Sequence, residues 1–226
     1  MPLVLITGCS SGIGRSLAQT YKQAGYEVWA TARKPAEVAQ LRAEGFVAVQ
    51  LDVNDRLEVD QLSARIKQNG KGLDILINNA GYGAMGPVLD AGVEGIKLQF
   101  ETNVFSVVGI TQALFEPLRS NRGLVVNIGS VSGVLVTPFA GAYCASKAAV
   151  HALSDALRME LAPFGIRVME VQPGAIDTRF AKNASAQVEH LIAEDSPWWP
   201  MREGIRARAH ASQDNPTPVS ELTDAV

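Results

Sequence analysis

Short apolar segments alternate along the chain with longer segments in which apolar residues recur at helical spacing. This rhythm predicts repeated β–α units, in which helices connect parallel strands. The segments at 73–77 and 124–128 are apolar at nearly every position, as expected for strands covered on both faces. We therefore predict an α/β fold with a doubly wound parallel sheet and helices on both faces. The predicted strands lie near residues 3–7, 27–31, 46–50, 74–78, 122–129 and 166–171.

The first predicted strand runs into a glycine-rich turn that opens a helical segment. The turn consists of Thr7, Gly8, Cys9, Ser10, Ser11, Gly12, Ile13 and Gly14. Such a turn before a helix forms a phosphate cradle, because backbone N–H groups and the positive end of the helix dipole face the ligand. We expect Gly8 to form the tight turn, Gly12 to admit a pyrophosphate and Gly14 to allow close helix packing. Ser10 and Ser11 are expected to donate hydroxyl hydrogen bonds and to cap the helix. A plain surface turn is the alternative.

Length, charge and cysteine content limit the classes of protein to which the chain can belong. A chain of 226 residues with 47% hydrophobic content can bury one sizeable core, which predicts a single domain over 1–226. The net charge of −3 and the absence of a basic run longer than Arg33-Lys34 exclude nucleic acid as an expected partner. Cys9 and Cys144 have neither disulfide nor zinc-ligand spacing, so no metal site is predicted. No signal peptide or transmembrane segment is recognisable, which favours a cytoplasmic protein.

The residues at the end of the second predicted strand indicate whether the chain binds NAD or NADP. Dinucleotide-binding folds place an acidic residue there, which binds the ribose hydroxyls and repels a 2′-phosphate. Here Thr31 occupies that position, and Arg33 can bind a phosphate through its planar fork of donors. The sequence therefore predicts NADP rather than NAD, with a solvated pair of loop charges as the alternative. After the third strand, Asp52 and Val53 are expected to contact adenine, unless Asp52 caps the next helix.

Tyr143 and Lys147 form the candidate catalytic pair. They lie one turn apart on one face of a helical segment from about 142 to 163. A nearby ammonium favours the phenolate, so we expect Lys147 to lower the pKa of Tyr143 and make it a usable acid/base. Ser130, at the end of the predicted fifth strand, can donate to a substrate oxygen. An exposed Tyr/Lys pair is the commoner alternative, but the serine and the phosphate loop together favour catalysis.

These motifs resemble, in their order, those of the short-chain dehydrogenase/reductase family over about residues 3–180. The segment Asn78-Asn79-Ala80-Gly81 is similar to the stabilising motif of that family. Four residues match its catalytic tetrad, namely Asn103, Ser130, Tyr143 and Lys147. The segment that contains Pro173, Gly174, Ile176 and Thr178 resembles the one that covers the nicotinamide.

The resemblance implies a role for each member of the tetrad. Tyr143 would exchange a proton with the substrate oxygen, which Ser130 would position. Lys147 would hold the nicotinamide ribose, and Asn103 would keep a water beside Lys147. Hydride would pass directly between the nicotinamide and the substrate carbon, so no metal is expected. Ser11 stands where many NADP-preferring members carry a basic residue, so the NADP prediction rests on Arg33.

The spelling of the glycine turn, with Ala-Thr-Ala-Arg after the second strand, is similar to the 17β-hydroxysteroid and retinol dehydrogenase branch. This similarity implies an apolar, steroid-, retinoid- or lipid-like alcohol or carbonyl substrate. The region 178–212 is expected to form a lid, in which the cluster 197–201 either walls the substrate site or anchors the lid. Broad apolar faces at 104–118 and 148–161, which build the family's interface, imply a homodimer or homotetramer.

Two further expectations concern the rest of the chain. Family members continue into a seventh strand, so we expect the sequence to be a shortened one; the alternative is a six-stranded sheet with an exposed edge. His151, His190 and His210 have no ligand spacing and are interpreted as surface or packed histidines.

The sequence therefore predicts an NADP(H)-dependent oxidoreductase that interconverts an alcohol and its ketone or aldehyde. The alternative from another class is a catalytically silent NADP(H)-binding redox sensor, which would typically have lost the tyrosine or lysine. A nucleotide-sugar epimerase-type relative also uses a Tyr/Lys pair, but it normally has a different glycine spacing and a large C-terminal domain.

Overall fold

A parallel six-stranded sheet forms the centre of the computed structural model, which describes residues 1–180, 184, 192–210 and 213–226. Its strand order is β3-β2-β1-β4-β5-β6, and every neighbouring pair is parallel. The predicted α/β fold is confirmed, and each predicted strand is present. The strands are β1 (Leu3–Ile6), β2 (Glu27–Ala32), β3 (Val47–Gln50), β4 (Ile75–Asn78), β5 (Leu124–Ile128) and β6 (Arg167–Val171).

Helices cover both faces of the sheet. In the described residues they are α1 (Gly12–Gln23), α2 (Pro35–Ala43), α3 (Arg56–Asn69), α4 (Val88–Phe100), α5 (Ser106–Ala113), α6 (Phe115–Asn121), α7 (Gly141–Leu161), α8 (Arg202–His210) and α9 (Val219–Thr223). A π-helix, Glu101–Phe105, joins α4 to α5. The helix α7 ends just before Pro163, because proline lacks the N–H that a continuing helix needs.

Alternate residues of the central strands face two separate apolar layers. Leu76 and Val125 pack with side chains of α3 and α5 on one face. Ile77 and Val126 pack with side chains of α1 and α2 on the other face. Because side chains alternate along a strand, strands buried on both faces must be apolar at successive positions. This arrangement explains the nearly continuous apolar segments of β4 and β5.

The order in which successive strands join the sheet reverses between β1 and β4. From β1 the chain moves outward through β2 and β3, then crosses back to β4 and continues through β5 to β6. In open α/β sheets, ligands bind at the carboxyl ends of the strands where the order reverses. The glycine-rich turn after β1 and the strand-end segments after β4 and β5 therefore meet at one crevice.

Buried amides join the carboxyl halves of β4 and β5. Asn78 and Asn127 are register partners, and Asn78 Nδ2 donates to Asn127 Oδ1 at 2.9 Å. Asn78 Nδ2 also donates to Thr111 Oγ1 at 3.2 Å, and Asn127 Nδ2 donates to Ser154 Oγ at 2.9 Å. These hydrogen bonds connect the two strands to α5 and to the middle of α7, so they fix the position of α7 relative to the strand ends.

We predict that Asn127→Ala lowers the free energy of unfolding by about 2–4 kcal/mol. The substitution removes the acceptor of a hydrogen bond from Asn78 Nδ2 and the donor of one to Ser154 Oγ, and both of these groups are buried. Chemical denaturation measures this loss. The matched control is Asn54→Ala, which removes an exposed hydrogen bond to Thr102 and should change stability by less than about 0.5 kcal/mol. Equal effects of the two substitutions would contradict the role given to the buried amides.

Candidate active site

The glycine-rich turn has the backbone geometry that its sequence predicts. Gly8 and Gly12 have left-handed φ values of 72° and 60°. A side chain at Gly14 would overlap the Asn79 amide and the Gly8 carbonyl, so α1 begins in close contact with the end of β4. The turn therefore brings its backbone close to the crevice without intervening side chains, which fits a pyrophosphate.

The expected hydroxyl cap of α1 does not form. Ser11 occupies the N-cap position, but its side chain makes no capping hydrogen bond, and its backbone is fully extended with φ −167° and ψ 179°. The Ser11 hydroxyl consequently does not compete with an anion for the N–H groups of the first turn. Ser10 and Ile13 lie beside it in the turn and are partly buried.

Asn79 holds the turn against the end of β4. Its Nδ2 donates to the carbonyl oxygens of Thr7 and Gly8 at 2.8 and 3.1 Å. In the opposite direction, Thr7 Oγ1 accepts from the backbone N–H groups of Asn79 and Ala80 at 3.0 and 2.9 Å. A methyl group added at Gly81 would lie 3.1 Å from Asn103 Oδ1, so this glycine permits close packing of the next segment.

A cavity of about 450 Å³ adjoins the end of β3. Its lining residues are Arg33, Gln50, Asp52, Asn54, Asp55 and Glu58. Asp55, rather than Asp52, caps α3 by accepting from the N–H groups of Leu57 and Glu58. The Asp52 backbone N–H donates to Glu58 Oε2, and Val53 is buried beside it. The structure thus places Arg33 and Asp52 at one cavity.

Thr31 serves the turn rather than the cavity. It is buried, its Oγ1 accepts from the Gly8 N–H at 3.3 Å, and its carbonyl accepts from the Cys9 N–H at 2.7 Å. The position where an acid would bind ribose hydroxyls is therefore occupied by a neutral side chain with an internal partner.

Ser130, Tyr143 and Lys147 come together beyond the end of β5. Each is only 7% exposed. The Tyr143 hydroxyl shares a hydrogen bond with the Ser130 side chain, and the Lys147 Nζ lies 5.9 Å from the centroid of the tyrosine ring. Lys147 Nζ donates to the Ile128 carbonyl at 2.7 Å, which fixes the ammonium beneath the strand end. A proton donor, an orienting hydroxyl and a cation thus share one buried pocket.

The expected lowering of the Tyr143 pKa is wrong for this arrangement. Burial raises the pKa of Tyr143, and the hydrogen bond from Ser130 opposes that rise only in part. Burial lowers the pKa of Lys147 to about 8, against an opposing effect of Glu170. The ammonium faces the Ile128 carbonyl and Glu170 rather than the phenol oxygen, so desolvation dominates at both groups.

The side-chain amide of Asn103 makes hydrogen bonds to two neighbouring segments. It is buried in the π-helix, where Nδ2 donates to the Tyr82 carbonyl at 2.9 Å and to Ser146 Oγ at 3.1 Å. Asn103 Oδ1 accepts from the Tyr82 N–H at 3.1 Å. Both amide hydrogens are therefore used. The side chain fixes the segment after Gly81 to the second turn of α7.

The segment after β6 crosses the crevice. The Pro173 carbonyl accepts from the Val131 N–H at 3.0 Å, and a methyl group at Gly12 would lie 3.3 Å from the Thr178 side chain. Between them, Ile176 forms a parallel bridge with Thr217. Gly174 has open space around it. The segment therefore connects the loop of Ser130 to the glycine-rich turn, where a bound nicotinamide would lie between them.

An apolar cluster covers Tyr143. The Phe180 ring lies over the tyrosine ring with a centroid distance of 5.4 Å. The members of the cluster are Met85, Phe139, Ala140, Tyr143, Cys144, Phe180, Ala184, Ile192, Trp198, Trp199, Ile205 and Ala209. The tryptophans of the predicted lid thus pack into the same cluster as the candidate proton donor. The remaining parts of the predicted lid at 181–183, 185–191 and 211–212, with His190, lie outside the described residues.

Two side chains that were not predicted as site residues lie against the candidate catalytic groups. His151 is packed, as one of the two interpretations allowed, and its Nε2 accepts from the Ser130 N–H at 3.3 Å. Glu170, near the carboxyl end of β6, is nearly buried and lies near both His151 and Lys147. The sequence offered one signal for Glu170, namely a carboxylate within a strand that was expected to be buried.

Two classes of site are not found in the described part of the chain. Residues 1–180, 184, 192–210 and 213–226 contain no group of three or more potential metal ligands. None of the helices described there has the length and apolar character needed to span a bilayer.

Comparison with protein families matches residues 2–189 to the short chain dehydrogenase model. The short-chain dehydrogenase cctT of Talaromyces islandicus is 41% identical over 178 residues, which are 77% of this chain and 63% of that protein. The NADPH-dependent 1-acyldihydroxyacetone phosphate reductase of Schizosaccharomyces pombe is 35% identical over 225 residues, covering 98% of this chain and 76% of the relative. The chain thus spans about two thirds to three quarters of the length of these curated relatives.

Solved structures share the fold over almost the whole chain. A short-chain dehydrogenase from Sphingobium yanoikuyae in complex with NADPH has a TM-score of 0.77 and 31% identity, covering 100% of this chain and 82% of its own. A short chain dehydrogenase/reductase from Burkholderia phymatum in complex with NAD has a TM-score of 0.83 and 25% identity, covering 99% and 83%. Its motifs, fold and relatives together show that the chain belongs to the short-chain dehydrogenase/reductase family.

Proposed function

We propose that the chain acts, as a single domain over 1–226, as an NADP(H)-dependent oxidoreductase that interconverts an alcohol and its ketone or aldehyde. The observation that carries this proposal is the buried arrangement of Ser130, Tyr143 and Lys147 beside the glycine-rich turn. Ser130 follows the carboxyl end of β5, which is next to the β1–β4 pair where the strand order reverses, and Tyr143 and Lys147 reach it from α7.

In the direction of carbonyl reduction, the bound coenzyme supplies a hydride to the substrate carbon. Tyr143 donates its hydroxyl proton to the carbonyl oxygen, and Ser130 orients the same oxygen. Burial supports this role, because a raised pKa keeps the phenol protonated at neutral pH. The Lys147 ammonium, with a pKa of about 8, then supplies the proton that replaces the one Tyr143 has donated.

For the coenzyme, we propose that Arg33 binds the 2′-phosphate of NADP, with Asp52 and the Val53 backbone at the adenine. The neutral Thr31 and the position of Arg33 at the cavity support this assignment. The NADPH-dependent relative and the NADPH complex favour it, whereas the complex with NAD shows that the family fold accepts either coenzyme. Asn79, Ala80 and Gly81 would form the floor of the site.

For the substrate, we propose an apolar or lipid-like alcohol or carbonyl. The support is the apolar cluster around Tyr143, which offers aromatic and aliphatic side chains and few hydrogen-bonding groups. One relative is named for an acylated substrate. In this proposal Trp198 and Trp199 wall the substrate site from the lid side.

We further propose a homodimer or homotetramer in the cytoplasm. Large apolar side chains are exposed on the elements from α4 to α5 and on α7, among them Leu98, Phe105, Val108 and Met159. A symmetric contact between copies would cover them. Cys9 and Cys144 are both free and buried, which suits a reducing compartment.

We predict that Tyr143→Phe lowers kcat for carbonyl reduction by at least about 10²–10⁴-fold, because phenylalanine has no proton to donate. The loss of NADPH absorbance against a panel of apolar carbonyls measures the rate, and NADPH fluorescence measures its binding. Binding should change only slightly. Equal turnover in both proteins would refute the acid/base role, and NADPH binding without turnover in the unmodified protein would favour the redox sensor.

We predict that Arg33→Ala raises the Kd for NADPH by about 10–100-fold, which corresponds to the loss of a charged hydrogen bond. The Kd for NADH should change by less than about threefold, because NADH has no 2′-phosphate. The matched control is Lys34→Ala, which removes the neighbouring exposed cation. Similar weakening of both coenzymes by Arg33→Ala would refute the phosphate contact.

We predict that kcat/KM for NADPH falls above a pH of about 8, as Lys147 loses its proton. This parameter reports groups of the free enzyme, and the decrease should approach tenfold per pH unit. Lys147→Arg keeps a cation at all accessible pH values, so it should have lower activity but no decrease near pH 8. A decrease that persists unchanged in Lys147→Arg would assign it to another group.

A further inference from the structure

We propose that Arg208 is a specificity-determining residue, which binds a carboxylate or phosphate group of the substrate at the end remote from the reacting carbonyl. This inference rests on the proposed function, because it concerns the substrate of the pocket around Tyr143. The substrate is then amphipathic. Its apolar part lies in the cluster that covers Tyr143, and its charged end lies at Arg208. Arg208 takes no part in the proton transfer.

Helix α8 places Arg208 at the edge of the apolar cover over Tyr143. Ile205 and Ala209 are buried members of the cluster that contains Tyr143. They lie one turn apart on α8, so one face of this helix packs into the cluster. Arg208 is partly buried, and it lies next to Ala209 in the chain and one turn after Ile205. Arg208 therefore lies at the border of the apolar cluster.

The guanidinium of Arg208 reaches the loop between Ser130 and Tyr143. Its Nη2 donates to Thr137 Oγ1. The Thr137 carbonyl accepts from the Ala140 N–H at 3.3 Å, and Ala140 is the N-cap residue of α7. A four-residue turn followed by one helical turn places the Cα atoms of Thr137 and Tyr143 within about 13 Å of each other. An anionic group at Arg208 is therefore separated from the Tyr143 hydroxyl by several bonds of the substrate.

The turn that carries Thr137 is held in one conformation by its neighbours. Pro138 occupies the second position of the turn, and Phe139 occupies the third with a φ of 62°. The left-handed region is unfavourable for a residue with a side chain, so the surroundings must stabilise it. The Phe139 carbonyl accepts from the Gly86 N–H at 2.7 Å, and its side chain packs against the apolar cluster. Thr137, and the guanidinium that binds it, consequently have a defined place relative to α7.

Arg208 differs from the other arginines of α8 in its partners. Those two share a carboxylate, because Glu203 Oε1 accepts from Arg206 Nη1 at 2.6 Å and lies 3.8 Å from Arg202 Nε. Arg208 forms no ion pair within the part of the chain that the structure describes, and its hydrogen bond there goes to a neutral hydroxyl. Its positive charge is thus not compensated by these neighbours.

A partly buried cation of this kind favours an anionic ligand. The loop 130–141 carries no charged side chain, and removing a cation from water is unfavourable unless an opposite charge compensates it. A guanidinium has five N–H donors in one plane, and the hydrogen bond to Thr137 occupies one edge of it. The remaining donors match two oxygens of a carboxylate or phosphate. A neutral ester or alcohol can accept a hydrogen bond there, but it does not compensate the charge.

Straight-chain methyl ketones that end in a carboxylate, a phosphate or a methyl ester test this proposal, each in several chain lengths. NADPH oxidation gives kcat and KM. In the unmodified protein, kcat/KM for at least one anionic ketone should exceed that for the ester by about 10–100-fold. Arg208→Gln can still bind Thr137 but has no charge, so it should remove this preference by raising KM, with kcat nearly unchanged. Arg208→Lys keeps the charge without the planar fork and should retain part of the preference. The matched control Arg119→Gln removes an exposed arginine of α6 and should retain all of it.

Two kinetic results would overturn the proposal. One is the absence of a preference for either anionic ketone in the unmodified protein, a comparison that does not depend on the folding of any variant. The other is an equal decrease in kcat for charged and neutral ketones in Arg208→Gln, because this is the result expected if Arg208 only holds the loop of Thr137 in place.

A binding measurement without turnover separates this inference from the proposed function. Decanoate, decyl phosphate and methyl decanoate have the same end groups as the ketones but no ketone to reduce. Calorimetry in the presence of NADP⁺ should give a Kd at least about tenfold lower for one of the anions than for the ester, and Arg208→Gln should abolish the difference. If this occurs although no carbonyl is reduced, the function fails and the anion site stands. If ketones are reduced but neither anion is preferred, the function stands and this inference is overturned.

Discussion

The hydrogen bonds of Asn79 determine where the coenzyme cradle lies. Its amide joins the carbonyls of Thr7 and Gly8, while the Thr7 hydroxyl binds the backbone of the Asn79 segment in return. These hydrogen bonds connect the turn after β1 to the end of β4, the two strands between which the strand order reverses. The turn and the strand end therefore form one unit. Gly14 makes this contact possible, because any side chain there would overlap the Asn79 amide. The crevice, and every group that faces it, is positioned relative to this unit.

Burial is the physical cause that makes the two catalytic candidates complementary. It disfavours the charged form of each, so the pKa of Tyr143 rises while that of Lys147 falls to about 8. The phenol therefore stays protonated and can act as a proton donor, and the Lys147 ammonium releases its proton more readily than an exposed lysine does. The Ile128 carbonyl and Glu170 are what keep a cation there at all. The pKa values of Tyr143 and Lys147 therefore depend on their common burial and on neighbouring groups, and not only on the interaction between these two side chains.

Local patterns predicted those features that depend on residues near each other in the chain. The strands follow from apolar segments, and Tyr143 and Lys147 follow from helical spacing. Contacts between distant elements were not predictable in this way. The place of Glu170 beside Lys147 depends on how β6 packs under α7. The contacts of Asn103 with Tyr82 and Ser146 join residues that lie 21 and 43 positions away in the chain. Spacing indicates which side chains share a face, but not which partner each side chain finds.

The apolar cover over Tyr143 bears on the acid/base chemistry of its hydroxyl. Phe180 packs both on the Tyr143 ring and against Gly83, so one aromatic side chain closes the pocket from the lid side. A pocket closed by apolar groups excludes water, and this strengthens every electrostatic interaction within it. Burial among these groups is the main cause of the raised pKa of Tyr143, so the pKa depends on the apolar cover. The packing around Tyr143 and the protonation of its hydroxyl therefore depend on the same apolar contacts.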